Sequence, residues 1–528
     1  MSKLDSSKAT GNPTGEAAIL RRLGDLEFNR GNNDAARGYY REALALYKAI
    51  GSRPGRARTL VSLGNLEARQ SKTDAARNYY RQAQALFKAI GDPEGNAHSL
   101  CSLGNLEYRL SHNNAARGYY RQALALCESI NAPETKANVL LSLGDLEFRL
   151  GKTDVARDYY QRALPLYEAT DSSQGKAHIL YSLGDLEGQL GNSDRAWDYY
   201  QQALPLYEVA GDPQGKANTL HSLGDLEFVR GNNDATRGYY QQALPLFEAI
   251  GDPLGKANTL RSLGDLEYSM GKIDAARGFY QQALSLFEIT EEFEGKANTL
   301  RSLGDLEEWL GKTAIARDYY QQALALYKVI GDPQGKANTL FRMGNLEFSL
   351  GKIELGEDYY QQALALYETA GSSQGKAHIL RHLGDVEFSL GRADAARNYY
   401  QQALALYQTI GDPQGKANTL RSLGDLEFSL GKADTAGNFY QQAMALFETT
   451  GEPIGQINVF LGQARLACEN GNLIAAEANY RHAIILGEKI GLGEHPITKK
   501  VQKELEQMKA TGKNGYEPGH IPLIFYSN

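Results

Sequence analysis

Residues 217–256 read ANTLHSLGDLEFVRGNNDATRGYYQQALPLFEAIGDPLGK. Ala217, Leu220, Leu223 and Gly224 fall on one helix face. Gly231 interrupts that pattern, because glycine tolerates the left-handed conformation just past a helix end. Asn233 and Asp234 follow, and their side-chain oxygens suit the unpaired N–H groups of a helix start. Tyr240, Ala243, Leu244, Phe247 and Ile250 resume the helical spacing. Gly251 closes this second segment. Asp252-Pro253 opens the next one, with Asp as cap and Pro as the first helical residue. The stretch predicts two helices of roughly 15 to 18 residues joined by a turn.

The same 40 residues recur twelve times between 17 and 496 without insertion or deletion. The Gly224 position is glycine in eleven copies, from Gly24 to Gly424, and Ala464 replaces it in the last. The Ala243 position is alanine in all twelve, from Ala43 to Ala483. One pair of helices cannot bury its apolar face alone, so the copies must stack. The reading divides the chain into a polar leader (1–14), an array (15–496), a capping helix (497–512) and a tail (513–528).

Composition narrows the function classes. A net charge of −7 is spread along the chain and gives no basic field for nucleic acid. No apolar run approaches the ~20 residues of a membrane span, and the N-terminal stretch has no apolar segment of a signal peptide. The three cysteines, Cys101, Cys127 and Cys468, form no motif and suit a reducing compartment. A cytoplasmic protein that contacts neither nucleic acid nor membrane is expected. No phosphate-binding glycine loop, nucleophile elbow or cysteine-pair metal motif occurs. His378, His382 and Asp385 have a spacing that can hold a metal. A single copy carries them, at positions that are Asn and Ser elsewhere, so drift is the cheaper explanation. No enzyme, catalytic residue, cofactor or metal is expected.

Leu220, Leu223-Gly224, Gly231, the small residue Thr236, Tyr240 and Ala243 together resemble the tetratricopeptide repeat family, over about nine-tenths of the chain. The period exceeds the family's usual length of about 34. It is similar to the longer variant of spindle-orientation adaptors and kinesin light chains. The resemblance implies an all-α fold, a right-handed α-solenoid superhelix of twelve helix-turn-helix repeats with a C-terminal capping helix. It also implies that the first helices line a concave, partner-binding groove. One departure is systematic: eleven copies carry glutamate, Glu27 to Glu427, where the family often has a bulky residue. We expect it to pair with a tyrosine hydroxyl or an arginine.

Carried onto this sequence, the groove columns are those of Asn218, His221, Asp225, Phe228 and Val229. The first holds Asn138, Asn218, Asn258, Asn298, Asn338 and Asn418, with His98, His178 and His378 as variants. The Asp225 column is Asp or Asn in eleven copies, including Asp265, Asp305, Asn345, Asp385 and Asp425. Such a ladder can hydrogen-bond an extended peptide, or simply solvate the wall. The His221 column varies most: Leu141 and Tyr181 early, then Arg261, Arg301, Phe341, Arg381 and Arg421. The Val229 column carries Arg69, Arg109 and Arg149 early and mostly serine late. An apolar early floor with an arginine rim and a late arginine floor suit a partner segment with apolar and acidic parts. The competing reading pairs each late arginine with the aspartate four residues on. The aromatics of the Phe228 column are expected to pack between helices rather than to stack on a ligand. In each tyrosine pair the second is expected in the core and the first between copies.

Pro165, Pro205 and Pro245 lie inside second helices and predict a local bend or a change of pitch. The run Ile521–Tyr526 in the tail is expected to pack on the last helices or to enter a groove, its own or a neighbour's, which would give self-association. The function expected is a non-catalytic scaffold or adaptor binding extended peptide segments. The alternative is a peptide-sensing receptor or sensor array of a signalling system.

Overall fold

The computed structural model describes residues 12–490 and 496–511. These hold twenty-five α-helices of 16 to 18 residues and no strand. Twenty-four form pairs at the 40-residue spacing. First helices run from Pro13–Asn29 to Pro453–Glu469, and second helices from Asn33–Ala49 to Leu473–Lys489. The last helix, Pro496–Thr511, stands outside the pairs. The chain divides into two compact units, residues 1–286 and 287–528. No described helix is long and apolar enough to cross a membrane.

Local chemistry explains where the helices begin and end. Asp252 caps Pro253–Ser269, its Oδ1 accepting from the N–H groups of Leu254 and Gly255 at 3.1 and 3.0 Å. Gly251 closes the preceding helix with φ +68°. The second helices start differently from the expectation drawn from Asn233 and Asp234. The cap residue is Asn232, and its side chain makes no capping bond. It donates instead to Glu227 Oε2 at 2.5 Å, because a buried carboxylate one turn away is the stronger acceptor.

Within each copy the second tyrosine of the pair fills the core against the first helix. A Cβ on Gly224 would lie 2.4 Å from the Tyr240 ring, so glycine is what lets the two helices approach. Between copies the same device recurs at Gly215, where a Cβ would meet Tyr207 of the preceding second helix at 2.2 Å. The alanine of the Ala243 column is fully buried in every copy. Within each unit apolar clusters join one copy to the next, as where Ala196 and Tyr200 meet Leu223, with Tyr239 packed alongside. The first tyrosine of the pair thus lies between copies, as expected.

The prolines do not interrupt their helices. Thr153–Ala169, Ser193–Ala210 and Asn233–Ile250 run through Pro165, Pro205 and Pro245 at the length of their neighbours. Pro165 is solvent-exposed, as is Gln161, whose carbonyl loses its donor. Water can satisfy a carbonyl there.

At the C-terminal end, Val501, Leu505 and Met508 of Pro496–Thr511 cover Ile457, Leu461, Ala464 and Tyr480. Arg465 and Glu504 pair in two bonds of 2.9 and 2.6 Å across this contact. The leader up to residue 11 and the tail, with its apolar run Ile521–Tyr526, lie outside the described residues.

Candidate functional site

The Glu27–Glu427 column serves the frame rather than a site. Arg37 donates to Glu67 at 3.1 Å, Arg77 to Glu107 at 3.0 Å and Arg117 to Glu147 at 2.6 Å. Arg317 and Arg397 do the same to Glu347 and Glu427 at 2.7 and 2.8 Å. Each bond joins one copy's second helix to the next copy's first helix.

The Asp225 column is likewise engaged within its own copy. Tyr240 donates to Asp225 Oδ1 at 2.6 Å, Tyr280 to Asp265 at 2.7 Å and Tyr320 to Asp305 at 2.7 Å. Burial pushes the Tyr240 and Tyr320 hydroxyls up, so they remain donors. Asn345 is buried and accepts from Tyr360; it faces the core, not the groove. In the Asn218 column, Asn138 and Asn298 accept from Tyr167 and Tyr327 at 2.5 and 2.8 Å, and Asn338 accepts from Tyr367. Asn218 and Asn258 are half-buried at the same register, where residue 247 is Phe in Asn218's own copy.

In the first unit, the arginine rim is not free. The Arg149 guanidinium lies 3.6 Å over the Tyr108 ring and donates to the Tyr108 carbonyl at 2.7 Å. Arg69 covers Phe28 in the same way, at 3.8 Å. A cation over an aromatic face is favourable, and it covers that face of the ring. The floor beside it is closed: Val61 and Cys101 are buried, and Leu141 packs against the next cluster. The Tyr181 hydroxyl lies 3.3 Å from Ser222 Oγ, and His221 sits between Asp225 at 3.4 Å and Thr259 at 3.1 Å. Arg261 pairs with Asp265 at 3.2 Å.

The second unit holds a cavity of about 530 Å³ between consecutive first helices, in the size range of pockets that bury small ligands. Six of the sequence candidates line it: Phe341, Arg381, Asp385, Asn418, Arg421 and Asp425. Arg381 donates to Asp385 at 3.1 Å and Arg421 to Asp425 at 2.6 Å, so the pairing four residues apart is the geometry present. Each aspartate keeps its other oxygen on a tyrosine, Tyr400 at 2.8 Å and Tyr440 at 2.7 Å. The guanidiniums are thereby braced on the wall rather than swung into solvent. Arg301 lies outside this wall and donates to Asn298 at 3.3 Å. Phe388 and Phe428 also line the cavity, while packing against apolar clusters as the aromatics of the earlier copies do.

His378 and His382 stand in the wall with ring centroids 4.7 Å apart. Arg381 Nη2 is 2.7 Å from His382 Nε2, and His382 Nδ1 is 3.5 Å from Asp385. Burial, then the Arg381 charge, pushes His378 down to about 3 and His382 well below its ordinary range. A guanidinium that close repels a metal ion, and no group of three or more metal-ligating side chains occurs among the described residues.

Among the cations of the wall, sequence reasoning missed three. Arg342 replaces the serine found at that position in most copies, Arg465 replaces the aspartate of its column, and Lys500 comes from outside the repeats. The first two were visible as exceptions to their columns. Lys500 had no column to be compared with.

Two tetratricopeptide repeat profiles match the sequence, one at residues 15–89, 135–208, 215–289, 295–369 and 375–449, the other at 96–134. An array of paired helices lined with recurring side chains is what this class builds, and the chain belongs to the tetratricopeptide repeat family. The matches stop at 449, so the twelfth helix pair lies beyond them. Among curated proteins no sequence matches the chain. Among solved structures it is similar to a Rap protein complexed with competence and sporulation factor. That pair shares 16% identity over 68% of this chain and 99% of the other, with a TM-score of 0.50. It is also similar to the apo form of the quorum sensor NprR from B. thuringiensis, at 16% identity, the same coverages and a TM-score of 0.51. These likenesses are of fold.

Proposed function

We propose that this protein is a non-catalytic scaffold that binds extended peptide segments along its first helices, with the cavity of the second unit as the principal site. The observation that carries this reading is the wall itself. Phe341, Phe388 and Phe428 offer apolar surface, while Arg381 and Arg421 stand braced beside it. Carboxamide and hydroxyl groups, Gln374, Asn418, Asn458 and Ser389, complete the lining. An extended backbone needs alternating polar donors and acceptors, and acidic side chains suit the arginine fork. The partner expected is a protein or peptide with apolar and acidic parts. Cytoplasmic work accords with three free, buried thiols.

Affinity capture with mass spectrometry, comparing the full chain with an Arg301→Gln/Arg381→Gln/Arg421→Gln variant, tests this. Neutral glutamine avoids setting like charges beside Asp385 and Asp425. Loss of the captured partner by a folded variant supports the groove; unchanged capture contradicts it.

A second reading is a peptide-sensing receptor. It draws on the structural neighbours, one complexed with competence and sporulation factor and one a quorum sensor. A receptor changes shape when its peptide binds and a rigid scaffold does not, so small-angle scattering with and without ligand separates the two.

A further inference from the structure

Five cations line the cavity of the second unit, and four of them already face a carboxylate. Arg342 lies 3.4 Å from Asp305, Arg381 3.1 Å from Asp385, Arg421 2.6 Å from Asp425 and Arg465 2.6 Å from Glu504. Lys500 is the fifth. Among the described residues it makes no ion pair and no hydrogen bond. It is half-buried, and burial followed by the charge of Arg465 pushes its pKa down, against the opposing pull of the Glu504 and Asp425 charges. A partly desolvated ammonium beside a guanidinium is unfavourable by itself. A bound anion would offset both penalties.

The wall also changes sign along its length. Asp385 and Asp425 are successive members of one column, and the next member is Arg465. Glu504 takes Arg465 with two bonds, which leaves Lys500 as the cation at that end without an ion pair among the described residues; Glu452 is a carboxylate of the same lining. Arg421 adds a donor of its own: its Nε is buried and has no acceptor among the described residues. Toward the other end the wall carries Phe341 and Phe388. Apolar and charged groups thus alternate along the cavity, and Lys500 is the cation that the last helix adds to it.

We propose that Lys500 receives a carboxylate of the bound peptide, which makes the helix Pro496–Thr511 a ligand-reading element as well as the cover of the array's apolar end. This rests on the peptide-binding reading above. The carboxylate has two possible sources, the peptide's C-terminus or an Asp or Glu side chain.

The test uses the full chain and three synthetic hexapeptide pools. The first lacks Asp and Glu and has a free C-terminus. The second lacks Asp and Glu and is C-terminally amidated. The third is amidated but contains Asp and Glu. Retention is read by mass spectrometry. The expected result is that the first or the third pool is retained about tenfold or more over the second, and which of them identifies the source. Lys500→Met brings that pool down to the level of the second. Thermal unfolding shows Lys500→Met as stable as the natural chain or more so, since it removes an unpaired charge and keeps an apolar stem. Equal retention of all three pools, or discrimination untouched by Lys500→Met, overturns the role of Lys500 and leaves the groove reading standing. Retention of none overturns both.

Discussion

Arg397 Nε donates to Glu427 Oε1 at 2.8 Å, linking one copy's second helix to the next copy's first helix. The same bond, always thirty residues apart, recurs through both units. Where the arginine is missing, another cation serves. Trp197 breaks the column, and Arg230 takes Glu227 at 2.9 Å while reaching Asp194 at 2.6 Å. Glu357 breaks it again, and Arg392 lies 3.4 Å from Glu387.

These pairs should matter to stability, because Glu427 is nearly fully buried. Glu427→Gln is expected to lower stability by roughly 1–3 kcal/mol, by leaving Arg397 short of its counter-charge. Combined with Arg397→Met, the loss is expected to be smaller than the sum of the two single losses. Chemical denaturation of the four proteins in the cycle checks this; strict additivity would show that the pair does not couple.

The helix prolines give a prediction of opposite sign. Pro165→Ala restores an N–H donor for the Gln161 carbonyl at an exposed position. It is expected to stabilise the chain by roughly 1–3 kcal/mol, and Pro205→Ala and Pro245→Ala likewise. An unchanged or lowered melting temperature would mean that water and the local backbone compensate fully for the missing donor.

Gly356 and Phe348 form a matched exception. Most copies carry alanine at the position of Gly356, and there the aromatic opposite, such as Phe388, is only half-buried. Here a Cβ would lie 2.6 Å from the Phe348 ring, which is buried. Gly356→Ala should push that ring outward and cost roughly 1–2 kcal/mol. In a Phe348→Ala background the same change should be neutral or stabilising, since alanine is the better helix former. Unfolding midpoints of both variants decide it.

Glu308 stands where most copies have an aromatic, and it shares the Tyr320 hydroxyl with Asp305 at 2.6 and 2.7 Å. Burial, opposed by that hydroxyl, raises its pKa from 4.5 to about 7. The folded state therefore holds a proton that the unfolded chain releases between these values. No penalty exists below about pH 4.5; stability falls as pH rises toward 7 and the cost is complete above it. The full effect is on the order of 2–3 kcal/mol. Glu308→Gln should gain on the natural chain in melting temperature as pH rises from 5 to 8. Parallel curves would contradict a raised carboxyl.

The all-helical pairing was legible because one period governs the copies: glycine where Tyr240 approaches Gly224, alanine at 243, a cap at Asp252; the start of the second helices at Asn232 was not. The glutamate column was legible as an internal partner, though its arginine thirty residues earlier was not noticed, since that column is broken by Trp197 and Glu357. The site was harder to read. A column shows which residues share a register, but not whether a side chain turns to the groove or to its neighbour. Arg149 turns to Tyr108, Asn345 to Tyr360, and of the late arginines of the His221 column Arg381 and Arg421 keep a face on the cavity. Lys500 lies beyond the period altogether.

The central claim is that a partner segment lies in the cavity of the second unit. A photo-activated cross-linking residue placed at Ser389, on the cavity wall, tests it most directly against the same residue at Gln402, exposed on a second helix. The account predicts cross-links to the captured partner from position 389 and none from 402. Cross-links from 402 alone, or equally from both, would contradict it.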